Sequence, residues 1–208
     1  MIVRIAAGFA LVLGIAALMG YLHILGKSPF SSLEMRHLRE MKERTTSPAS
    51  FTPFAFDDFA ALPHRLSVAE YSAIERRGVS LEGHVQHMLR ASDGDIHLEI
   101  VPRPDSARAF QMYVTGEITP EFTQGSPRWR FEALAAELRP DRGTHTPWPE
   151  EPRRARFRGW LLFDFQYDDS LGLWTDKPAP RMTGWEIHPI TGIELWDDSL
   201  ARFVEYPR

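Results

Sequence analysis

From Val79 onward the chain alternates apolar and polar residues, the period of a strand with one buried face. The first such run is Val79 to Leu89. A Ser92-Asp93-Gly94-Asp95 turn follows, and Asp95 to Val101 alternates again. A third run covers Phe110 to Ile118. Trp129, Leu134 and Leu138 then recur at helical spacing between Arg128 and Leu138. After a Pro/Gly/His loop from Pro140 to Pro152, Ala155 to Phe165 reads as a fourth strand. Gly184 to Leu195 reads as a fifth, beyond the segment from Gln166 to Arg181. The order is strand, strand, strand, helix, strand, strand. It predicts a mainly β fold, a five-stranded OB-like barrel, with Gly83, Gly116 and Gly159 permitting the bends that closure needs. A generic mixed barrel or α+β sandwich is the competing architecture.

Upstream the period is helical or absent. Ser31-Ser32-Leu33-Glu34 has the form of a capped helix start and predicts a helix to about Arg44. Thr45 to Pro63 carries three prolines and four phenylalanines (Phe51, Phe54, Phe56 and Phe59), so it is expected to be extended, with its rings packed on the domain surface. Ser67-Val68-Ala69-Glu70 repeats the capping pattern and opens a short helix ended by Gly78.

The first residues change the setting. Ile5 to Leu25 is an apolar run without a charged side chain. About 20 apolar residues at about 1.5 Å rise are needed to cross a bilayer. The run therefore predicts an N-terminal transmembrane helix, an uncleaved anchor embedded in a lipid bilayer. A cleaved signal peptide fits less well, because its apolar region is shorter and Leu18 stands where a small residue is wanted. Arg4 favours an inside N-terminus, whereas Lys27, Arg36, Arg39, Lys42 and Arg44 pull the other way. The expectation is a single-pass protein of the bacterial inner membrane with its soluble domain outside the cytoplasm. The chain then divides into an anchor (1–27), a juxtamembrane helix and Pro/Phe-rich linker (28–66) and the β domain (67–208).

Composition narrows the chemistry. The 208 residues include no cysteine, which excludes disulfides, thiolate catalysis and zinc–sulfur sites. The net charge of −4 gives no bulk attraction to nucleic acid. The one basic cluster, Arg153, Arg154, Arg156 and Arg158, alternates so that Arg154, Arg156 and Arg158 share a face opposite Phe157 and Phe163. There is no G-x-S-x-G elbow, P-loop or G-x-G-x-x-G, so no catalytic residue and no cofactor is assigned. Asp168, Asp169 and Asp176 do not match an EF-hand loop.

One resemblance bears on the closing half. Phe157-Arg158-Gly159-Trp160-Leu161-Leu162-Phe163-Asp164, followed by Gly184-Trp185-Glu186-Ile187-His188-Pro189-Ile190-Thr191-Gly192-Ile193-Glu194, resembles a family of uncharacterised bacterial proteins. Those proteins carry a "GW..yD … WEIHPI" pattern and an upstream "DiHl" strand, matched here by Asp95-Ile96-His97-Leu98. The resemblance spans about Val79 to Glu194 and implies an OB-like barrel without a secure activity. This chain lacks the cysteine and extra histidine that many relatives carry after the first strand.

Five polar residues on the strands are candidates: His97, Glu117, Asp164, Glu186 and His188. Glu186 and His188 project together, opposite Trp185 and Ile187, and His97 faces away from Ile96 and Leu98. A ligand-binding face of His97, Glu117, Glu186 and His188, flanked by Trp174 and Trp185, is expected across the second, third and fifth strands. If a metal binds, His97, Glu186 and His188 are the candidate ligands, imidazoles and a carboxylate being zinc or iron donors. A one-residue slip in register would scatter them. His84 and His87 cannot share a face in a regular strand. The functional expectation is a binding or interaction module for a protein or small molecule. A metal-dependent hydrolase and a single-strand nucleic-acid binder are the alternatives.

Overall fold

Seven strands form one mixed sheet in the computed structural model, which describes Ile15, Leu18, Met19 and residues 32–104, 111–140, 151–167 and 181–207. The chain divides into two units, Met1–Glu43 and Arg44–Arg208. In the first, α1 (Leu33–Lys42) starts where the Ser32 hydroxyl accepts a hydrogen bond from the Met35 amide at 3.2 Å.

The second unit runs β1 (Thr52–Phe54), α2 (Phe56–Ala61), α3 (Val68–Ile74), β2 (Gly78–Arg90), β3 (Ile96–Val101), β4 (Tyr113–Ile118), α4 (Pro120–Thr123) and α5 (Phe131–Leu138). It ends with β5 (Ala155–Phe163), β6 (Arg181–Asp197) and β7 (Arg202–Glu205). The capping box ahead of α3 forms as its sequence predicts. The Ser67 amide donates to Glu70 Oε2 at 2.8 Å, and the Glu70 amide to Ser67 Oγ at 3.4 Å.

The strand order is β1-β2-β3-β4-β6-β5, with β7 on β6. β2 is long enough to serve two neighbours: Gly78 to Gly83 pairs with β5, and His84 to Arg90 pairs with β3. Hydrogen bonds thus run in a ring through β2, β3, β4, β6 and β5. The β1–β2 and β4–β6 pairs are parallel and the rest antiparallel.

This architecture corrects the expected five-stranded OB-like barrel behind a transmembrane helix. The sheet has seven strands, mixed in direction, accompanied by five α-helices among the described residues. β1 falls inside the stretch read as an extended linker. Its Pro53 is tolerated because a sheet-edge position need not donate to a second neighbour. α2 lies in the same stretch, with Phe59 buried and Phe54 and Phe56 packed against the core. Among the described residues no helix is long and apolar enough to cross a membrane. The run Ile5–Leu25 lies outside them except for Ile15, Leu18 and Met19.

One sheet face carries the core. Leu81, Val85, Leu98, Ile100, Val114, Phe157, Leu161, Ile187 and Ile193 are all fully buried there. Full burial of each such side chain contributes about 1.5–3 kcal/mol. Trp185 joins them, its ring 5.1 Å from Phe163 and 5.7 Å from Tyr71, while its indole N–H donates to the Pro63 carbonyl at 2.9 Å.

The arginine stripe on β5 turns outward, as its alternation predicts, and meets carboxylates. Arg154 and Arg156 both reach Glu82, at 2.6 and 2.7 Å, Arg156 also reaches Glu194 at 3.0 Å, and Arg158 pairs with Glu205. Burial works against the charge on Glu82, but Arg156 and Arg154 outweigh it and hold the carboxyl below its ordinary value of 4.5. A depressed folded pKa means the stabilisation is present above the unfolded value and is lost as pH falls through the folded one. The wild-type melting temperature should therefore fall more than that of Glu82→Gln between pH about 7 and pH about 3. Equal losses in the two proteins would contradict the assignment.

Candidate metal centre

The opposite face of β3, β4 and β6 should be polar by alternation, and it is. His97 and Glu117 are directly opposed across β3 and β4, and Thr115 is opposed to Glu99 on one side and Glu186 on the other. Two steps along β6 from Glu186 comes His188. All of these side chains are buried. Buried charged groups are costly unless paired, so their contacts decide what the face can do.

His188 sits at the centre. Its Nδ1 stands 2.9 Å from Glu117 Oε2 and 3.2 Å from Glu186 Oε1, and its Nε2 stands 3.6 Å from Asp95 Oδ2. An ionised Glu186 can only accept, and against it the hydrogen bond to Oε1 takes the Nδ1 proton. Glu117 Oε1 in turn accepts from His97 Nδ1 at 2.9 Å. Arg181 Nη1 donates to Glu186 Oε2 at 3.0 Å, and its guanidinium lies over the Tyr167 ring at 3.6 Å. Burial works against the charge on Arg181, but Glu186, Asp164 and Glu117 outweigh it and raise its pKa.

Asp95, Glu117 and His188 each offer a ligand atom, and the three atoms lie within 4.8 Å of one another. Asp95 reaches the group from the end of the β2–β3 hairpin. Gly94 permits that turn with a φ of +97°, and the Ala91 amide closes it on the Asp95 carbonyl at 2.8 Å. The Thr115 hydroxyl, fully buried on the same face, has no hydrogen-bond partner among the described residues.

A second polar group lies beside the first. His87 Nδ1 reaches Glu99 Oε1 at 3.2 Å, and Gln86 bonds both Glu99 Oε2 and the Gln111 carbonyl at 3.0 Å. Burial pushes the Glu99 carboxyl up, yet His87, Gln86 and His97 together bring it below the ordinary range. Burial also pushes the neighbouring Tyr113 phenol up, to about 12, with Glu99 adding to the effect.

The expected face of His97, Glu117, Glu186 and His188 is therefore brought together. Trp185 is placed on the other face, in the core. Trp174 lies outside the described residues, as do Asp168, Asp169 and Asp176. Within the group the ligand atoms that converge belong to Asp95, Glu117 and His188, with His97 and Glu186 one hydrogen bond behind. Asp95 was missed as a site residue although its signal is simple: it stands two positions before His97 and so shares its face.

No protein-family model matches the sequence, and comparison with curated proteins finds no match. Geometry alone carries the functional reading.

Proposed function

We propose that the protein is a binding module organised around a divalent cation held by Asp95, Glu117 and His188. The observation that carries this reading is the 3.6 Å separation of Asp95 Oδ2 and His188 Nε2 within the converging trio. It is too long for an ordinary hydrogen bond. Two donors about 2.1 Å from one tetrahedral ion stand about 3.4 Å apart, close to the spacing found.

Charge supports the same reading. Asp95, Glu117, Glu186 and Asp164 are all buried, and Arg181 is a permanent cation that bonds Glu186 and feels Glu117 and Asp164. A divalent ion would add positive charge to this carboxylate-rich group. The Thr115 hydroxyl gives a ligand or a metal-bound water a donor on the same face. One imidazole and two carboxylates, in a chain without cysteine, suit zinc, manganese or ferrous iron better than copper(I).

Three protein donors leave a coordination position for water, as catalytic zinc sites do. That observation favours a metal-dependent hydrolase as the second reading. Nucleic-acid binding gains no support, because Arg154, Arg156 and Arg158 are each engaged by a carboxylate. The proposed setting is the inner membrane, on the strength of the apolar run Ile5–Leu25; the module is proposed to lie outside the cytoplasm and to take a protein or small molecule as its partner. A C-terminal reporter active only in the periplasm is the expected result there.

Metal analysis of the detergent-purified full chain tests the centre. The protein should carry a stoichiometric equivalent of zinc, manganese or iron. His188→Ala and Asp95→Asn should each lose it while keeping the wild-type circular dichroism spectrum. Protein that takes up none of the three metals overturns the reading, and hydrolysis of model esters that requires the metal would select the hydrolase.

A further inference from the structure

We infer that the ion is ligated by Nε2 of His188, and that Glu186 and Arg181 act behind it as positioning residues that hold the imidazole for the task. The inference rests on the metal-binding reading above and assigns roles inside that site.

Asp95 stands at Nε2 of His188, whereas Glu186 and Glu117 both stand at Nδ1. Two carboxylate oxygens approach Nδ1: Glu186 Oε1 at 3.2 Å, in hydrogen-bond geometry, and Glu117 Oε2 at 2.9 Å. A carboxylate cannot donate, so the bond to Glu186 fixes the proton on Nδ1. In the neutral ring Nε2, on the far side, is then an acceptor turned toward Asp95. That is the form in which neutral imidazole binds a metal.

Glu186 is itself held. Its other oxygen accepts from Arg181 Nη1 at 3.0 Å, and both side chains are almost wholly buried, at 6% exposure for Arg181 and 0% for Glu186. Arg181 has little freedom, since Tyr167 stacks on its guanidinium. The line Arg181–Glu186–His188 therefore runs without an exposed side chain to the Nε2 edge. A carboxylate behind a ligating imidazole fixes the tautomer and ring orientation and raises its basicity, and loss of such a partner costs about 10- to 100-fold in metal affinity. The competing assignment has Glu186 as a direct ligand beside Nδ1.

The two are separated by zinc titration of the full-length protein against a chelating dye. Cadmium-loaded samples with isotope-labelled histidine add a second measurement, because scalar coupling identifies the ligating nitrogen. Cadmium should couple to His188 Nε2. Glu186→Gln should weaken zinc by roughly 10- to 100-fold, Arg181→Met should act in the same direction, and Arg181→Lys should recover part of the loss. Coupling to Nδ1, or zinc affinity in Glu186→Gln within about twofold of wild type, overturns the brace while the metal site stands. A wild-type protein that takes up no zinc or cadmium overturns both. If Arg181→Met does not fold, Glu186→Gln, Arg181→Lys and the coupling still decide.

Discussion

Trp185→Ala should destabilise the protein by about 3–5 kcal/mol, the cost of emptying a fully packed aromatic site. The indole is wholly buried, flanked by Phe163 and Tyr71, and tied to Pro63 by its N–H. Nothing small can refill that volume, because its walls belong to β5 and α3, which are fixed by their own pairing and capping. For a domain of this size the loss lowers the melting midpoint by roughly 10 °C or more. Trp185→Phe keeps most of the ring contact and forfeits the hydrogen bond, so its cost should be near about 1 kcal/mol. Denaturant titration of the two variants checks the ordering. A Trp185→Ala cost below about 1 kcal/mol would mean that this residue faces the ligand side.

Gly159→Ala should be comparably severe, though it adds a single methyl group. A Cβ there would lie 2.2 Å from the Pro189 carbonyl oxygen, 2.7 Å from Ile187 Cγ2 and 3.0 Å from Ile190 Cα. Two of those three atoms are backbone, so rotating the Ile187 side chain alone cannot relieve the clash. The crowding has a structural origin. Gly159 pairs with Ile190 and Leu161 with Ile187, so β6 fits one extra residue opposite Trp160, and the bulge presses onto the glycine. Overpacking that forces backbone to move costs about 1–3 kcal/mol, occasionally more, and a clash with two backbone atoms belongs at the upper end. His188 stands in the same bulge, so zinc affinity should fall along with stability. Gly125→Ala is the contrast: its Cβ meets nothing within 4 Å, and only the φ of +75° penalises it. Its cost should stay near about 1 kcal/mol. If Gly159→Ala is equally mild in a melting experiment, the bulge is not where the structure places it.

The expectations that held rest on periodicity. Alternation identified the runs that become β2, β3, β5 and β6, and it set Glu186 and His188 against Trp185 and Ile187. Those features are local, because each residue's face follows from its neighbours two positions away. β1 and β7 were missed for a complementary reason. Three residues with a central proline, and four with Arg202 and Glu205 at the ends, acquire strand geometry only from the partner beside them. The ring through β2 and β5 was likewise out of reach as a register, since the bulges at Gln86 and at His188–Pro189 shift pairing without a readable signal. At the site, the face was legible but the ligand atoms were not. Which of Asp95, Glu117, Glu186 and His97 points at His188, and at which nitrogen, depends on those bulges and on the Gly94 turn.

The double service of β2 has a bearing on how the chain acquires its structure. Its second half can pair at once with β3, a neighbour across a short turn. Its first half must wait for β5, since Leu81 pairs with Phe157 far downstream. Until β5 arrives, the early stretch of β2 is an open hydrogen-bonding edge bearing Val79 and Leu81, the kind of surface on which chains associate wrongly. Non-local pairing of this sort slows folding. The three-residue β1 also pairs with that stretch, on its other flank, so during synthesis it is the segment placed to shield the strand first.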